Sequence, residues 1–379
     1  MKNIVITALA IASLTAISCS TQNTTAPFSS NVGLQSAYKN QFFIGTALNL
    51  NHIHGTDKKG LDIVKKNFNS IVAENCMKSM FIQPEEGKFF FDDADQFIDF
   101  GIKNKMHIVG HTLIWHSQAP DWFFTDKEGK NVSAEVLKQR MKTHITTVVS
   151  RYKGKIDSWD VVNEAIMEDG SYRKSKFYEI LGEEFIPLAF KYAQQADPKV
   201  KLYYNDYNEW HPKKVETLTK IIKDMKSRGI RIDGIGMQGH VGLDSPSIEE
   251  YEKAIVDYAN AGVKVSVTEL EISALPSPWG LSANIADKVE YDAKMNPYTK
   301  GLPQNVTTEW EQRYKDFFNL YLKHQDKVER VTVWGVTDLD SWKNDFPIKG
   351  RTDYPLLFDR EYKTKPIVNK LIQLVTDKK

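Results

Sequence analysis

From Phe42 to the end of the chain, short apolar, β-branched-rich runs alternate with amphipathic stretches of helical period. That rhythm restricts the possible folds more than any other feature of the sequence. A strand followed each time by a helix must pair in parallel with the next strand, because a crossover of that length returns the chain to the same end of the sheet. Eight such units can be counted. The predicted strands are 43–48, 70–74, 107–113, 158–163, 201–205, 234–238, 265–270 and 331–337, and the helices include 93–105, 134–152, 177–196, 213–228, 248–261, 308–325 and 365–376. Gly154, Gly229 and Gly262 follow three of these helices, where a left-handed C-terminal cap needs a residue without a Cβ. Eight units favour the α/β class as a single (β/α)8 TIM barrel, eight parallel strands with outer helices; an open doubly wound sheet built from similar units is the alternative. No Pro-rich or Gly/Ser-rich linker divides the 379 residues after about Asn31, so one domain is expected.

Charge narrows the partners. Lys plus Arg number 50 against 49 Asp plus Glu, which leaves no global basic field to hold nucleic acid. Aromatic content is 11% with eight Trp, which suits a bulky core or a surface on which flat apolar ligand faces stack. At the start, Lys2, the apolar stretch Ile4 to Ile17 and small residues leading to Cys19 read as an export signal, too short for a membrane span. Ala16-Ile17-Ser18-Cys19 loosely resembles a bacterial lipobox, with Cys19 as the lipidated residue; an ordinary cleaved signal peptide is the alternative. The division expected is 1–18 signal, 19–36 polar tether and 37–379 (β/α)8 barrel domain. The expected product is a cell-surface or periplasmic-side bacterial lipoprotein, otherwise a secreted protein. Cys76 alone remains inside the domain, so no intramolecular disulfide can form there and stability must come from a sizeable core.

Polar and aromatic residues collect where the predicted strands end: Glu74, Asn75 and Lys78; His111, Trp115 and His116; Asn163 and Glu164; Asn205 and Asp206; Gln238 and His240; Glu269 and Glu271; Trp334 and Trp342. In a barrel these ends converge on one pocket. The connection 273–305, with four prolines, is long enough to be functional and falls on the same face. Glu164 and Glu269 each directly follow or end an apolar strand, in Trp159-Asp160-Val161-Val162-Asn163-Glu164 and Val265-Ser266-Val267-Thr268-Glu269. A lone Glu is more often an ion-pair partner, but two at matched strand ends supply what glycoside hydrolysis needs: one carboxyl kept protonated and one ionised. Neighbouring Asn163, Gln238 and His240 would decide which is which.

From about Tyr38 onward the chain resembles family 10 of the glycoside hydrolases, the endo-β-1,4-xylanase family. The resemblance is carried in order by Gly45-Thr46-Ala47-Leu48, Ala73-Glu74-Asn75-Cys76-Met77-Lys78, the run Gly110 to Gln118, the run Trp159 to Ala165, Tyr204-Asn205-Asp206-Tyr207-Asn208, Gly236-Met237-Gln238-Gly239-His240, Thr268-Glu269-Leu270-Glu271-Ile272, and Val333 to Asp338 with Ser341-Trp342. It implies an endo-acting retaining hydrolase of xylan and xylo-oligosaccharides, with Glu164 as acid/base, Glu269 as nucleophile and the two carboxyls roughly 5 to 5.5 Å apart. It further implies that Asn163 meets the sugar 2-hydroxyl and that His240, with Gln238 and Glu271, orients Glu269. Glu74, Asn75, Lys78, His111 and Trp115 would hold the sugar on the non-reducing side, Trp334 and Trp342 would form its walls, and Tyr207 would stack on the leaving-group side or pack. His116, Asn205 and Asp206 are supporting residues in this reading.

Two departures stand out. Ser79 follows Lys78 where many relatives carry Trp, and Glu271 replaces the commoner Asp, which keeps the charge on a longer arm. His111, His116 and Glu74 superficially suggest a metal cluster, but no His-Glu-x-x-His spacing is present and the chemistry needs no metal or other cofactor. A monomer is expected. Two other readings remain: a β-1,4-glucanase-type barrel, against which the His111 to His116 and Asp206 to Asn208 segments argue, and a glycan-binding lipoprotein, against which both intact carboxylates argue.

Overall fold

The computed structural model describes residues 32–277 and 293–377. Among the described residues there are nine strands: β1 Phe43–Leu48, β2 Ser70–Ala73, β3 His107–Trp115, β4 Ser158–Asn163, β5 Lys201–Asp206, β6 Gly234–Met237, β7 His240–Gly242, β8 Lys264–Ser273 and β9 Val328–Val333. Neighbours pair in parallel from β1 through β6, β6 pairs with β8, and β9 returns to β1, closing an eight-stranded barrel. The ninth, β7, is a three-residue strand outside the closure that lies beside the end of β8, with His240 opposite Glu271. The barrel strands are buried along almost their whole length, as parallel strands covered by helices must be.

Register sets the site. Trp115, Asn163 and Asn205 lie level on β3, β4 and β5, so three polar or aromatic groups reach the same height at the C-terminal rim. The β3–β4 ladder shifts between His111 and Ile114, the kind of irregularity that re-aims side chains beside active sites. Close packing beneath the rim depends on glycine: a Cβ on Gly110 would lie 2.2 Å from the Trp159 indole, which fills that space. Around the barrel, helices with apolar stripes bury residues such as Leu137, Ile145 and Val148 of the helix Ala134–Arg151. Each such side chain contributes about 1.5–3 kcal/mol on burial.

The closed barrel and the strand and helix positions follow the sequence pattern, and Gly154, Gly229 and Gly262 all adopt positive φ. Differences have local causes. The helix expected over 177–196 is two, Lys176–Leu181 and Phe185–Ala196, because Gly182 turns the chain at φ 61° and Pro187 fits only near a helix start. The helix Lys58–Asn67 escaped the periodicity because Leu61 and Val64 are almost its whole apolar stripe. Residues assigned to a polar tether belong in part to the barrel. The helix Leu34–Ala37 is anchored there, with Leu34 fully buried, and the Tyr38 hydroxyl donates to the Leu371 carbonyl at 2.8 Å. The expected export signal and Cys19 lie outside the described residues.

Candidate active site

One cavity of about 160 Å³ opens at the C-terminal rim, lined by Glu74, Asn75, Lys78, His111, Trp115, Gln118, Asn163, Glu164, Gln238, His240, Glu269, Trp334 and Trp342. Strand ends supply nearly all of these, so the convergence is a product of barrel closure. Every residue expected to meet a sugar is among them except Tyr207.

The two carboxylates experience different surroundings. Glu164 follows β4 with φ 56°, a left-handed conformation that costs a side-chain-bearing residue roughly 1–3 kcal/mol and persists only where neighbours enforce it. Here its amide donates to the Asn205 carbonyl at 2.9 Å and its carbonyl accepts from Arg173 Nε at 2.8 Å. Its carboxylate accepts from Trp115 Nε1 at 2.8 Å and Gln238 Nε2 at 3.0 Å. Burial outweighs those donors, and with the nearby negative charges of Asp206 and Glu269 it holds the Glu164 carboxyl above its ordinary range.

Glu269, inside β8, goes the other way. Burial pushes its carboxyl up, but a contact from His240 Nε2 at 3.3 Å, the charges of His111 and His240, and a 2.8 Å bond from Asn205 Nδ2 bring it below the usual range. His240 is sustained as a cation from behind. Burial would lower its pKa, yet Glu271 at 2.9 Å and Glu269 raise it to about 9. Glu271 in turn overcomes its own burial through Lys343 at 2.6 Å and His240, reaching about 2, and accepts a further 2.9 Å bond from Trp342 Nε1. One carboxyl therefore favours the acid and the other the carboxylate within a single cavity.

Asn205 ties the set together. Its Nδ2 bridges Asn163 Oδ1 at 2.9 Å and Glu269, while its Oδ1 accepts the Thr268 hydroxyl at 2.6 Å. His111 is oriented by Asp160 at 2.9 Å and meets Trp334 edge-on at 5.5 Å. Lys78 is buried, which lowers its pKa against the pull of Glu269, Glu74 and Glu164. It donates to Asn75 Oδ1 at 2.9 Å and lies over the Trp115 ring at 4.9 Å. Burial raises Glu74 despite Lys78 nearby. Ser79, the departure noted in the sequence, is buried and its hydroxyl donates to the Gln118 carbonyl at 3.1 Å.

Some expected residues stand elsewhere. Tyr207 is 1% exposed, and its hydroxyl accepts from Arg173 Nη2 at 2.5 Å while Lys214 lies 4.5 Å from its ring centre. It packs behind the site, and the stacking expectation is corrected: the bend after β5 turns the ring toward two cations. Asp206 is fully buried, paired with Lys214 at 3.0 Å and the Tyr204 hydroxyl at 2.5 Å. His116 sits behind Trp115, and burial followed by Arg173 lowers its pKa to about 3.

A second, larger cavity of about 560 Å³ shares His240 and Trp342 with the first. Trp210, Asp244, Leu275, Pro276, Tyr298 and Arg351 are among its lining residues, several of them from the 273–305 connection. Residues 278–292 of that connection lie outside the described residues. Sequence reading passed over Asp160, Arg173, Lys343 and Trp210. Asp160 and Lys343 flank singled-out residues in motifs already quoted or adjoining them, whereas Arg173 and Trp210 lie in loops with no periodic signal.

Comparison with known proteins follows the same lines. The profile of Glycosyl hydrolase family 10 matches residues 33–374. Endo-1,4-beta-xylanase A of Xylanibacter ruminicola is 50% identical over 334 residues, 88% of this chain and 90% of that protein. An endo-1,4-beta-xylanase of Geobacillus stearothermophilus is 39% identical over 353 residues, 91% and 99% of the two chains. Among solved structures, a GH10 endoxylanase retrieved from a sugarcane soil metagenome superposes with a TM-score of 0.86 at 46% identity, covering 91% of this chain and 100% of that one. The barrel, the order of its motifs and these similarities over nearly the whole length lead to one assignment: the chain is a glycoside hydrolase belonging to glycosyl hydrolase family 10.

Proposed function

We propose that this protein is an endo-acting, retaining 1,4-β-xylanase in which Glu164 is the acid/base and Glu269 the nucleophile. The observation that carries the reading is the opposed electrostatics of the two carboxyls lining one cavity: Glu164 is held toward the protonated form and Glu269 toward the ionised one. The names of the similar proteins, endo-1,4-beta-xylanases, support the substrate class.

In the first step Glu269 attacks the anomeric carbon while Glu164 gives its proton to the departing glycosidic oxygen, leaving a glycosyl ester on Glu269. Loss of that proton exchanges the acid for a base. Glu164 then takes a proton from water as the water displaces Glu269, and two inversions give net retention. Asn163 Oδ1 is occupied by Asn205, which leaves the Asn163 amide N–H groups to meet the sugar 2-hydroxyl. Glu74, Asn75, Lys78 and His111 supply hydroxyl partners on the non-reducing side, and Trp115, Trp334 and Trp342 supply apolar faces. Crowding by an indole near C5 would disfavour a hydroxymethyl group by about 1–3 kcal/mol, so glucose-based substrates are poorer rather than excluded. The same reading takes 1–18 as an export signal and Cys19 as a lipidation site, with the enzyme monomeric outside the cytoplasm.

The test is the release of reducing ends from glucuronoxylan and from carboxymethylcellulose, with the anomeric configuration of fresh product followed by NMR. Xylan is expected to be cut to short oligomers whose new ends are β. Faster cleavage of carboxymethylcellulose supports the glucanase alternative, and no reducing ends from either polymer would leave a glycan-binding protein.

A further inference from the structure

We infer that Arg351 is a positioning residue for the leaving-group half of the substrate, acting through the wall of the 560 Å³ recess rather than by touching the reacting atoms. The inference rests on the xylanase reading above, which assigns Glu74, Asn75 and Lys78 to the non-reducing side and so leaves the recess beyond His240 and Trp342 to the departing chain.

One side of the recess is formed by two stretches of the 273–305 connection: Ser273 to Ser277 after β8, and Pro297 with Tyr298 before the helix Gln304–Lys323. Neither stretch carries regular ladder bonds beyond Ser273, so something else must fix their separation. Arg351 does so. Its Nη2 donates to the Pro276 carbonyl at 3.0 Å and its Nη1 to the Met295 carbonyl at 2.9 Å, and the residue is 2% exposed. The turn that carries it adds contacts to both sides. Asn296 Nδ2 donates to the Gly350 carbonyl at 2.8 Å, the Thr352 amide to Asn296 Oδ1 at 3.2 Å, and Ser273 Oγ to Asp353 Oδ2 at 2.6 Å.

A planar guanidinium has donors that diverge at fixed angles, so it can hold two carbonyls at once; an ammonium on a flexible stem is a point charge and cannot reproduce that fork. Burying the cation is unfavourable, and Asp353 and Glu271 offset the cost only at a distance. Among the described residues Nε has no hydrogen-bond partner. A group kept buried under those terms, with two loop carbonyls as its acceptors, is accounted for by the shape it imposes. The recess volume lies in the ~300–1,000 Å³ range of ligand sites, and sugars bound there gain only if its wall is already in place.

The experiment compares Arg351→Ala and Arg351→Lys with the parent on xylohexaose, which must occupy the recess, and on 4-nitrophenyl β-xylobioside, whose leaving group is a single small ring. Expected for both variants is at least a tenfold fall in kcat/KM on xylohexaose, mostly through KM, with the aryl substrate within twofold of the parent and its pH profile unmoved. Equal losses on both substrates, parent-like values on both, or full recovery by Arg351→Lys would overturn the inference. If Arg351→Ala does not fold, Asn296→Ala, which loosens the same turn without lining the recess, is read in the same way, and a loss confined to xylohexaose is again required. A parent inactive on both substrates is a failure of the xylanase reading itself, visible before any variant is compared, and removes the basis of this inference with it.

Discussion

The Nε2 of His240 lies 3.3 Å from a Glu269 carboxylate oxygen, while its Nδ1 lies 2.9 Å from Glu271. The imidazole thus transmits the charge of Glu271 to Glu269. With Glu271 present, His240 titrates at about 9 and Glu269 stays ionised. In Glu271→Gln the cation loses its main support, Glu269 regains the upward pull of burial, and activity that needs it ionised is lost at a higher pH. The acidic limb of kcat/KM on an aryl xylobioside is expected to move up by about one unit or more. An unmoved limb contradicts the relay.

Tyr207 tests the corrected placement. Tyr207→Phe keeps the ring and removes the acceptor of Arg173 Nη2, a buried donor that then lacks a partner. Stability is expected to fall by about 1–3 kcal/mol in urea unfolding, with KM for xylan within twofold of the parent. An unchanged unfolding midpoint would contradict burial of that hydroxyl.

The barrel was legible in the sequence because closure needs only repeated βα units, and the site was legible because closure brings strand ends together. What failed were claims about the direction of single side chains. Tyr207 sits two residues past Asn205, yet the chain bends after β5 and buries its ring against Arg173 and Lys214. Arg173 is nine residues past Glu164 in a loop, and nothing in its neighbours marks it as the donor to the Glu164 carbonyl. Likewise, Leu34 looked like tether because a single helical turn carries too few residues to show periodicity.

Glu209 is fully buried next to the site, and neither carboxylate oxygen makes a well-formed hydrogen bond to the described residues. Burial raises its pKa from 4.5 to about 8, against the pull of Lys214. The folded state therefore holds a proton that the unfolded chain releases above about pH 4.5, so stability declines as pH rises from there through about 8. Glu209→Gln removes that dependence. The variant is expected to be more stable at pH 7 by about 1–3 kcal/mol, with the difference vanishing below pH 4.5. Equal melting temperatures at pH 7 would contradict this.

Glu164→Gln removes the proton donor and keeps the side-chain size, with one amide oxygen left to accept from Trp115 or Gln238. Turnover of xylan is expected to drop by about 10²–10⁴-fold. The loss should be far smaller on an aryl xylobioside whose leaving group departs without protonation, and equal losses on the two substrates would argue against Glu164 as the acid.

The most direct measurement of the central claim is the anomeric configuration of the glycosyl azide formed when Glu269→Ala and Glu164→Ala are each given azide and an activated aryl β-xylobioside. With Glu269 absent, azide attacks in its place and a single inversion gives the α-azide. With Glu164 absent, azide instead displaces Glu269 from the intermediate, and two inversions give the β-azide. Those two products are the predicted result. The reversed pair, or no azide adduct from either variant, would contradict the assignment of nucleophile and acid/base.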